Sequence, residues 1–354
     1  MIRLTWRQFR AQALVAIGVL AIVAVVLAVT GPQLVHLYDT SVKPCKPYGD
    51  CPLATKALLN RYRLLQGLGT VLVVVPALIG IFWGAPLVAR ELETGTYKLV
   101  WFQSTTRKRW LAVKMAVIGS VSIALTGLLS LMVTWWSSPI DQVNGAPFNV
   151  FDQRDIVPLA YTAFAFALGV TVGVFLRRTI PAMVVTLAGF VAVRAAITSW
   201  VRPYILAPFH FTIGLQLPQG NQVSNPSPAA ALTPGAWILS NQTINGAGHV
   251  IGQEGVISYD GGQMGVGFNY TGVGRVTLQG VGSCPNKFPP QSAPVTVFDR
   301  AAQLCVTKFK IREVLTYQPA SRYWALQWYE SAIFVALALA LVSIAFWWVH
   351  NRLT

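Results

Sequence analysis

Long runs of apolar residues, separated by shorter polar stretches, dominate the chain. A helix needs about 20 apolar residues to cross the roughly 30 Å of hydrocarbon in a bilayer. No small-x-small cleavage site follows the first run, so we expect it to be retained rather than removed as a signal peptide. The pattern predicts six membrane-spanning helices, at Ala13–Thr30, Gln66–Val88, Leu111–Trp136, Ile156–Leu176, Ile180–Trp200 and Trp328–Val349.

Composition agrees with a membrane protein. Hydrophobic residues make up 54% of the 354 residues and charged residues only 11%, whereas a soluble domain has about 25% charged residues. The net charge is +15, but the lysines and arginines lie between apolar runs rather than on one polar domain. We therefore predict an all-α polytopic protein whose partners include membrane lipid and exclude nucleic acid.

The positions of the basic residues predict the orientation of the spans. Short loops rich in Lys and Arg stay in the cytoplasm. Such loops are residues 1–12, the 89–110 connector, the Arg177–Arg178 turn and the tail after Val349. Both termini are then expected in the cytoplasm.

The four cysteines agree with this orientation, because all of them fall in connectors on the predicted outer side. Outside compartments favour disulfides. Four cysteines allow three pairings. We favour Cys45–Cys51 and Cys284–Cys305, since each closes a short loop, and free thiols are the alternative.

The N-terminal residues 1–12 have an amphipathic pattern. Arg3, Arg7 and Arg10 share one helical face, and Trp6 and Phe9 lie on the neighbouring face. This pattern predicts an interfacial helix on the cytoplasmic membrane surface. The alternative is a basic flank that only sets topology.

Residues 13–200 then hold the first five spans.

The connector between the second and third spans carries two carboxylates, Glu91 and Glu93. Gly95 can end a helix, and Thr96 can cap the next one. We expect a short helix at 89–108, with its carboxylates pointing away from the membrane. Such a helix suits docking to a basic groove of a soluble partner, and a solvated loop is the alternative.

The pattern of residues 201–327 predicts a small β-rich extracytoplasmic domain between the fifth and sixth spans. Residues 328–354 then form the last span and a cytoplasmic tail. Short apolar segments broken by glycines are typical of strands. The predicted strands are Val250–Tyr259, Gly265–Asn269, Arg275–Gln279, Ala293–Phe298 and Cys305–Leu315.

Two charges fall at membrane depth on the outer side, Arg194 in the fifth span and Glu330 in the sixth. An intramembrane charge usually faces the bundle and has a partner. We predict an Arg194–Glu330 pair. The alternative is that each side chain reaches the interface separately.

Motifs for catalysis or for binding nucleotides and metals are missing from the sequence. It contains no GxxxxGK[ST] phosphate loop, no GxSxG nucleophile motif and no His or Cys at metal-ligand spacing. We expect a chain that is not an enzyme, with no catalytic residue, no metal and no cofactor of its own.

The segment from Gly84 to Thr96, GAPLVARELETGT, resembles the start of the cytoplasmic coupling helix in membrane permease subunits of type-2 ABC exporters. Two further patches are similar to an actinobacterial-like branch of that family. They are Trp101–Ser104 with Arg109–Trp110 and Lys114, and Tyr317–Trp324 with Gln327 and Glu330. The order of interfacial helix, six spans and outer insertion also resembles the family.

The resemblance implies a permease subunit of a bacterial plasma membrane that exports a hydrophobic or amphipathic substrate, such as a drug, antibiotic, peptide or lipid. It implies a second copy or a homologous permease, and a separate ATPase subunit that binds ATP and Mg. The implied substrate path lies between the copies, with Phe82, Trp83 and Phe190 as candidates. The implied ATPase-coupling residues are Arg90, Glu91, Glu93, Gly95, Thr96, Arg3 and Arg7.

Two other functions stay open from the residues alone. A membrane sensor or assembly protein would use the outer domain to bind a ligand or partner, and would lack a stable ATPase partner. An ion-coupled transporter would need acidic residues at mid-membrane. Glu330 lies near the end of a span.

Overall fold

The computed structural model describes residues 2–44, 57, 60, 72–95, 106–144, 147–215, 233, 235–253, 268–271, 275–278, 282–283 and 295–352. The chain divides into two compact units. We call them the helical unit (Met1–Gly145, Asn149–Ile205 and Trp324–Thr354) and the insertion unit (Ala146–Phe148 and Leu206–Tyr323).

The helical unit contains the six predicted spans, because six of its described helices are long and apolar enough to cross a membrane. The protein is therefore membrane-embedded. In chain order the helices are α1 (Ile2–Leu37), α2 (Leu72–Thr94), α3 (Arg107–Asn144), α4 (Val157–Leu176), α5 (Thr179–Ala196), the insertion-unit helix α6 (Val295–Lys308) and α7 (Tyr323–Asn351). A π-helical turn (Tyr38–Val42) extends α1, and a π turn and a 3₁₀ turn extend α5 to Tyr204.

Helix α1 runs without a break through the basic N-terminal segment and the first apolar run. Neither proline nor glycine occurs before Gly18, so nothing in the sequence ends the helix between the two parts. A separate interfacial helix is not shown. Phe9 on α1 is buried and packs edge to face on Trp83, with ring centroids 4.6 Å apart.

Glycines bring α2 and α4 into close contact. Gly80 and Gly84 on α2 face Gly169 and Gly173 on α4, and a Cβ added at Gly173 would lie 2.6 Å from the carbonyl oxygen of Ala85. A Cβ at Gly84 would lie 2.7 Å from a backbone oxygen of α4. Two GxxxG spacings thus let the two backbones touch, as in tightly packed membrane helices. A π-helical turn occupies Gly80–Gly84.

The insertion unit contains a four-stranded antiparallel sheet, which agrees with the β-rich domain predicted after the fifth span. Two strands of this sheet, Phe209–Gly214 and Trp237–Ile244, lie outside the predicted strand segments. The strand order is β1–β7–β2–β3, and a separate three-stranded sheet has the order β4–β5–β6. The strands are β1 (Phe209–Gly214), β2 (Trp237–Ile244), β3 (Val250–Gln253), β4 (Phe268–Thr271), β5 (Arg275–Leu278), β6 (Gly282–Ser283) and β7 (Arg312–Gln318).

Two strand predictions are wrong. The segment Ala293–Phe298 was expected to be a strand, but its described part opens α6, and Cys305–Leu315 is divided between the end of α6 and β7. Apolar residues at Phe298, Ala302 and Cys305 recur at helical spacing. This periodicity outweighs the strand preference of the β-branched residues at the start of the segment.

Cys305 lies on α6, where it is buried and disulfide-bonded. The other three cysteines, Cys45, Cys51 and Cys284, lie outside the described residues. The pairings Cys45–Cys51 and Cys284–Cys305 therefore stay predictions.

Candidate functional site

The helical unit has two ends that carry its polar contacts. At one end α2 terminates while α3 and α5 begin, and we call this the α2–α3 end. At the other, α5 terminates and α7 begins, together with a 3₁₀ segment at Pro147–Gln153; we call this the α5–α7 end. A buried apolar cluster supports the α2–α3 end, and it includes Phe9, Val88, Trp110, Leu111, Phe166 and Val349.

Helix α2 ends where the sequence predicted. Gly95 adopts the left-handed conformation with φ of 72°, which residues other than glycine rarely adopt. Helix α3 begins after Thr106, whose Oγ1 accepts a hydrogen bond of 3.3 Å from the backbone N–H of Arg109. The predicted coupling helix at 89–108 is described only at these two ends, because residues 96–105 lie outside the described part of the chain.

Glu91, which was predicted to point away from the membrane, contacts another helix of the protein. Its Oε1 forms an ion pair with Nζ of Lys114 on α3, and the side chains are only 16% and 7% exposed. Lys114 Nζ also lies 5.0 Å from the centre of the Trp110 ring. The second oxygen of Glu91 is buried, and no described residue hydrogen-bonds to it. The carboxylate is thus held inside the protein.

Glu93 contacts the start of α5. Its Oε2 accepts a hydrogen bond of 3.0 Å from the backbone N–H of Thr179 and one of 2.7 Å from the Thr179 hydroxyl. Arg178, the residue that precedes α5, makes no side-chain capping bond. A carboxylate of α2 therefore caps the N-terminus of α5, where negative charge is favourable.

The remaining predicted coupling residues are only partly described. Arg90 is exposed. The side chains of Arg3 and Arg7 and the whole of Thr96 lie outside the described part of the structure. Contact of these residues with an ATPase stays a prediction.

An apolar groove of about 250 Å³ lies between α1, α2 and α3. Phe82 and Trp83 line it, with Leu20 of α1 and Leu129 of α3 among the other walls. Phe82 is 52% exposed. Phe190, the third predicted path residue, is not on this groove: it is 2% exposed and packs on Phe164 with ring centroids 6.2 Å apart.

A buried network of charged side chains occupies the α5–α7 end. Arg202 donates from Nε to Oε2 of Glu330 at 2.6 Å and from Nη2 to Oε1 at 2.7 Å. Glu330 is fully buried and also accepts a 2.6 Å hydrogen bond from the hydroxyl of Tyr161. Arg202 Nη2 contacts Asp152 as well. The network thus joins the 3₁₀ segment, α4, α5 and α7.

The predicted Arg194–Glu330 ion pair is not formed among the described residues. Nη2 of Arg194 lies 3.4 Å from Oδ2 of Asp152, and its Nη1 donates to the carbonyl oxygen of Val73 at 3.3 Å. Arg202, eight residues further along than Arg194, pairs with Glu330 instead. Both charges that the sequence singled out therefore belong to one network, with Asp152 between them.

Asp152 lies outside the spans and keeps its charge. Burial raises the pKa of its carboxyl group, but the positive charge of Arg202, the hydrogen bond from Arg202 and the positive charge of Arg194 together outweigh burial. The pKa is therefore lower than that of an ordinary aspartate. Asp152 consequently stabilises the fold at neutral pH, and this contribution is lost as the pH falls through the lowered pKa.

Four contact residues were missed from the sequence, namely Asp152, Tyr161, Thr179 and Arg202. No local motif marks them, because the elements that bring them together are distant in the chain. Lys114 belongs to a segment that resembles the family, but its partner Glu91 was not predicted. The glycines at the α2–α4 crossing could have been found, since GxxxG occurs in both apolar runs.

No curated protein and no solved structure matches the chain significantly. A family model described as ABC-2 membrane transporter related matches residues 17–202, which is more than half of the chain. The matched region contains α2, the α2–α3 connector and Arg202. The chain therefore belongs to the ABC-2 family of transporter membrane subunits.

Proposed function

We propose that this chain is the permease subunit of an ATP-driven exporter of hydrophobic or amphipathic molecules, such as drugs, antibiotics, peptides or lipids. The observation that carries the proposal is the family match over residues 17–202, which spans five of the six helices and the α2–α3 connector. ABC-2 permeases work with an ATP-binding subunit, and residues 96–105 with Gly95 are its docking segment here.

The chain itself is not an enzyme in this proposal. ATP and Mg bind to the separate subunit, consistent with a sequence that has no GxxxxGK[ST] loop. The complex contains a second copy of the chain or a homologous permease, and it lies in a bacterial plasma membrane with both termini in the cytoplasm.

The apolar groove supports the substrate class. Phe82 and Trp83 form part of a wall that is otherwise aliphatic, apart from Thr126. A wall of this kind favours the apolar part of a cargo and offers little to a strongly charged one. Resistance to an antibiotic or to several drugs is the expected phenotype.

The proposal is tested by co-purification of an ATP-binding subunit with the affinity-tagged chain in detergent or nanodiscs. We expect Gly95→Val to weaken binding of that subunit about tenfold, because valine is strained at φ of 72° and would redirect the connector.

The matched control is Gly248→Val in the insertion unit. Gly248 also has a positive φ, of 84°, and among the described residues nothing lies within 4 Å of a Cβ added at either glycine. The control should retain binding. If the wild-type protein carries no ATP-binding subunit, the proposed function is wrong, and a sensor or assembly role becomes the better interpretation.

A further inference from the structure

We propose that Glu91, Lys114, Glu93 and Thr179 are positioning residues that fasten the end of α2 to α3 and α5. A load on the 96–105 connector then moves these helices together. This inference rests on the proposed function, since the load is the motion of a docked ATPase. It departs from the family-based expectation, in which both carboxylates contact the ATPase directly.

The contacts of Glu91 point inward. The ion pair with Lys114 is shielded from solvent, since the side chain of Glu91 is 16% exposed and that of Lys114 is 7% exposed. Lys114 lies seven residues, about 10 Å along the helix, beyond the first residue of α3. A docking residue needs a side chain that a partner can reach. Glu91 instead links the last turns of α2 to the body of α3.

The two hydrogen bonds of Glu93 fix both the orientation and the distance of its carboxylate relative to the start of α5. One oxygen accepts both the N–H and the hydroxyl of Thr179, at 3.0 and 2.7 Å. Both donors belong to the first residue of α5. The end of α2 is thereby tied to the point at which the chain, after the Arg177 turn, enters α5.

A third connection comes from the glycine crossing of α2 and α4. Gly84 and Gly173 place the two backbones in contact, so these helices cannot shift independently without separating. Only Arg177 and Arg178 lie between α4 and α5. The helices from α2 to α5 therefore respond to the connector as one body, which is how rigid-body switches transmit motion.

The test is a charge exchange in the complex with the ATPase, reconstituted in nanodiscs. Glu91→Lys, Lys114→Glu and the double variant are compared by two measurements: the Kd for the ATPase subunit, and kcat for ATP hydrolysis at a saturating amount of that subunit. We expect each single exchange to lower kcat about fivefold or more while Kd changes by less than about twofold. The double exchange should restore most of kcat.

Thr179 supplies a conservative pair for the second contact. Thr179→Val removes the hydroxyl and keeps the shape, whereas Thr179→Ser keeps the hydroxyl. We expect Thr179→Val to lower kcat with Kd unchanged, and Thr179→Ser to behave like the wild type. Equal kcat values for the two variants would overturn the role of the Glu93 contact.

Different results would contradict the positioning role of Glu91 and the proposed permease function. If Glu91→Lys weakens ATPase binding about tenfold and Lys114→Glu does not restore it, Glu91 docks the ATPase, and the positioning role is wrong while the proposed function stands. If the wild-type chain binds no ATPase, the proposed function itself fails. Where a single exchange prevents purification, recovery in the double variant supports the pairing, and no recovery overturns it.

Discussion

Glu330 illustrates how a charge is kept inside an apolar bundle. It is fully buried, yet both oxygens are bonded to Arg202, and one also accepts the hydroxyl of Tyr161. Side-on pairing of a guanidinium with a carboxylate gives strong, directional hydrogen bonds. The pair is stable only while both partners are present, because either one alone would be an uncompensated buried charge.

Replacing Glu330 therefore tests the network at the level of one residue. We expect Glu330→Ala to lower the free energy of unfolding by about 3–5 kcal/mol, since Arg202 would lose its main partner. The control is Asp39→Ala, which removes an exposed ion pair with Lys43 and should cost no more than about 1 kcal/mol. Denaturant unfolding in detergent micelles measures both. Similar small losses in the two variants would contradict the network.

Individual pairings are what the sequence predicts least well. It singled out Arg194 and Glu330 as intramembrane charges, and both are in the network, but their partners are Asp152 and Arg202. Glu91 likewise contacts Lys114, a partner that the sequence did not predict. The partner of a charged side chain depends on how each helix is rotated and how deep it lies in the membrane. A single sequence reveals neither the rotation nor the depth.

At the scale of elements the sequence is far more informative. Each apolar run gave a helix, because a membrane span has a minimum length and its backbone must bond internally. Gly95 and the Arg177–Arg178 turn also end helices where predicted. Strands in the glycine-rich insertion were predicted less accurately than the helices. The segment that forms α6 was predicted as a strand, because its β-branched residues favour a strand although the spacing of its apolar residues is helical.

The crossing of α2 and α4 makes a prediction about elements. We expect Gly169→Ala to destabilise the protein by about 1–3 kcal/mol, as overpacking does, because the added Cβ would meet the backbone of Gly80 and Ala85. Gly18→Ala is the matched control on α1, where no atom of the described residues lies within 4 Å of an added Cβ. It should be neutral, or stabilising by up to about 1 kcal/mol through helix propensity. Thermal unfolding that ranks the two variants in reverse would contradict this packing.

For the whole molecule, the two polar clusters hold different parts of the helical unit together. The contacts at the α2–α3 end fasten α2 to α3 and α5 beside the connector. The Arg202–Glu330 pair joins the segment that leaves the helical unit before residue 206 to the one that re-enters it after residue 323. In the proposed exporter, we expect the first cluster to attach the helices to the moving ATPase and the second to keep these two segments together at the opposite end.

The most direct test of this account is site-specific photocrosslinking of the chain in its native membrane. A photoreactive amino acid is placed at Thr96 in the connector or at Tyr204, which is exposed at the far end of α5. We expect a crosslink to an ATP-binding subunit from Thr96 and none from Tyr204. No such crosslink from Thr96, or an equal one from Tyr204, would contradict it.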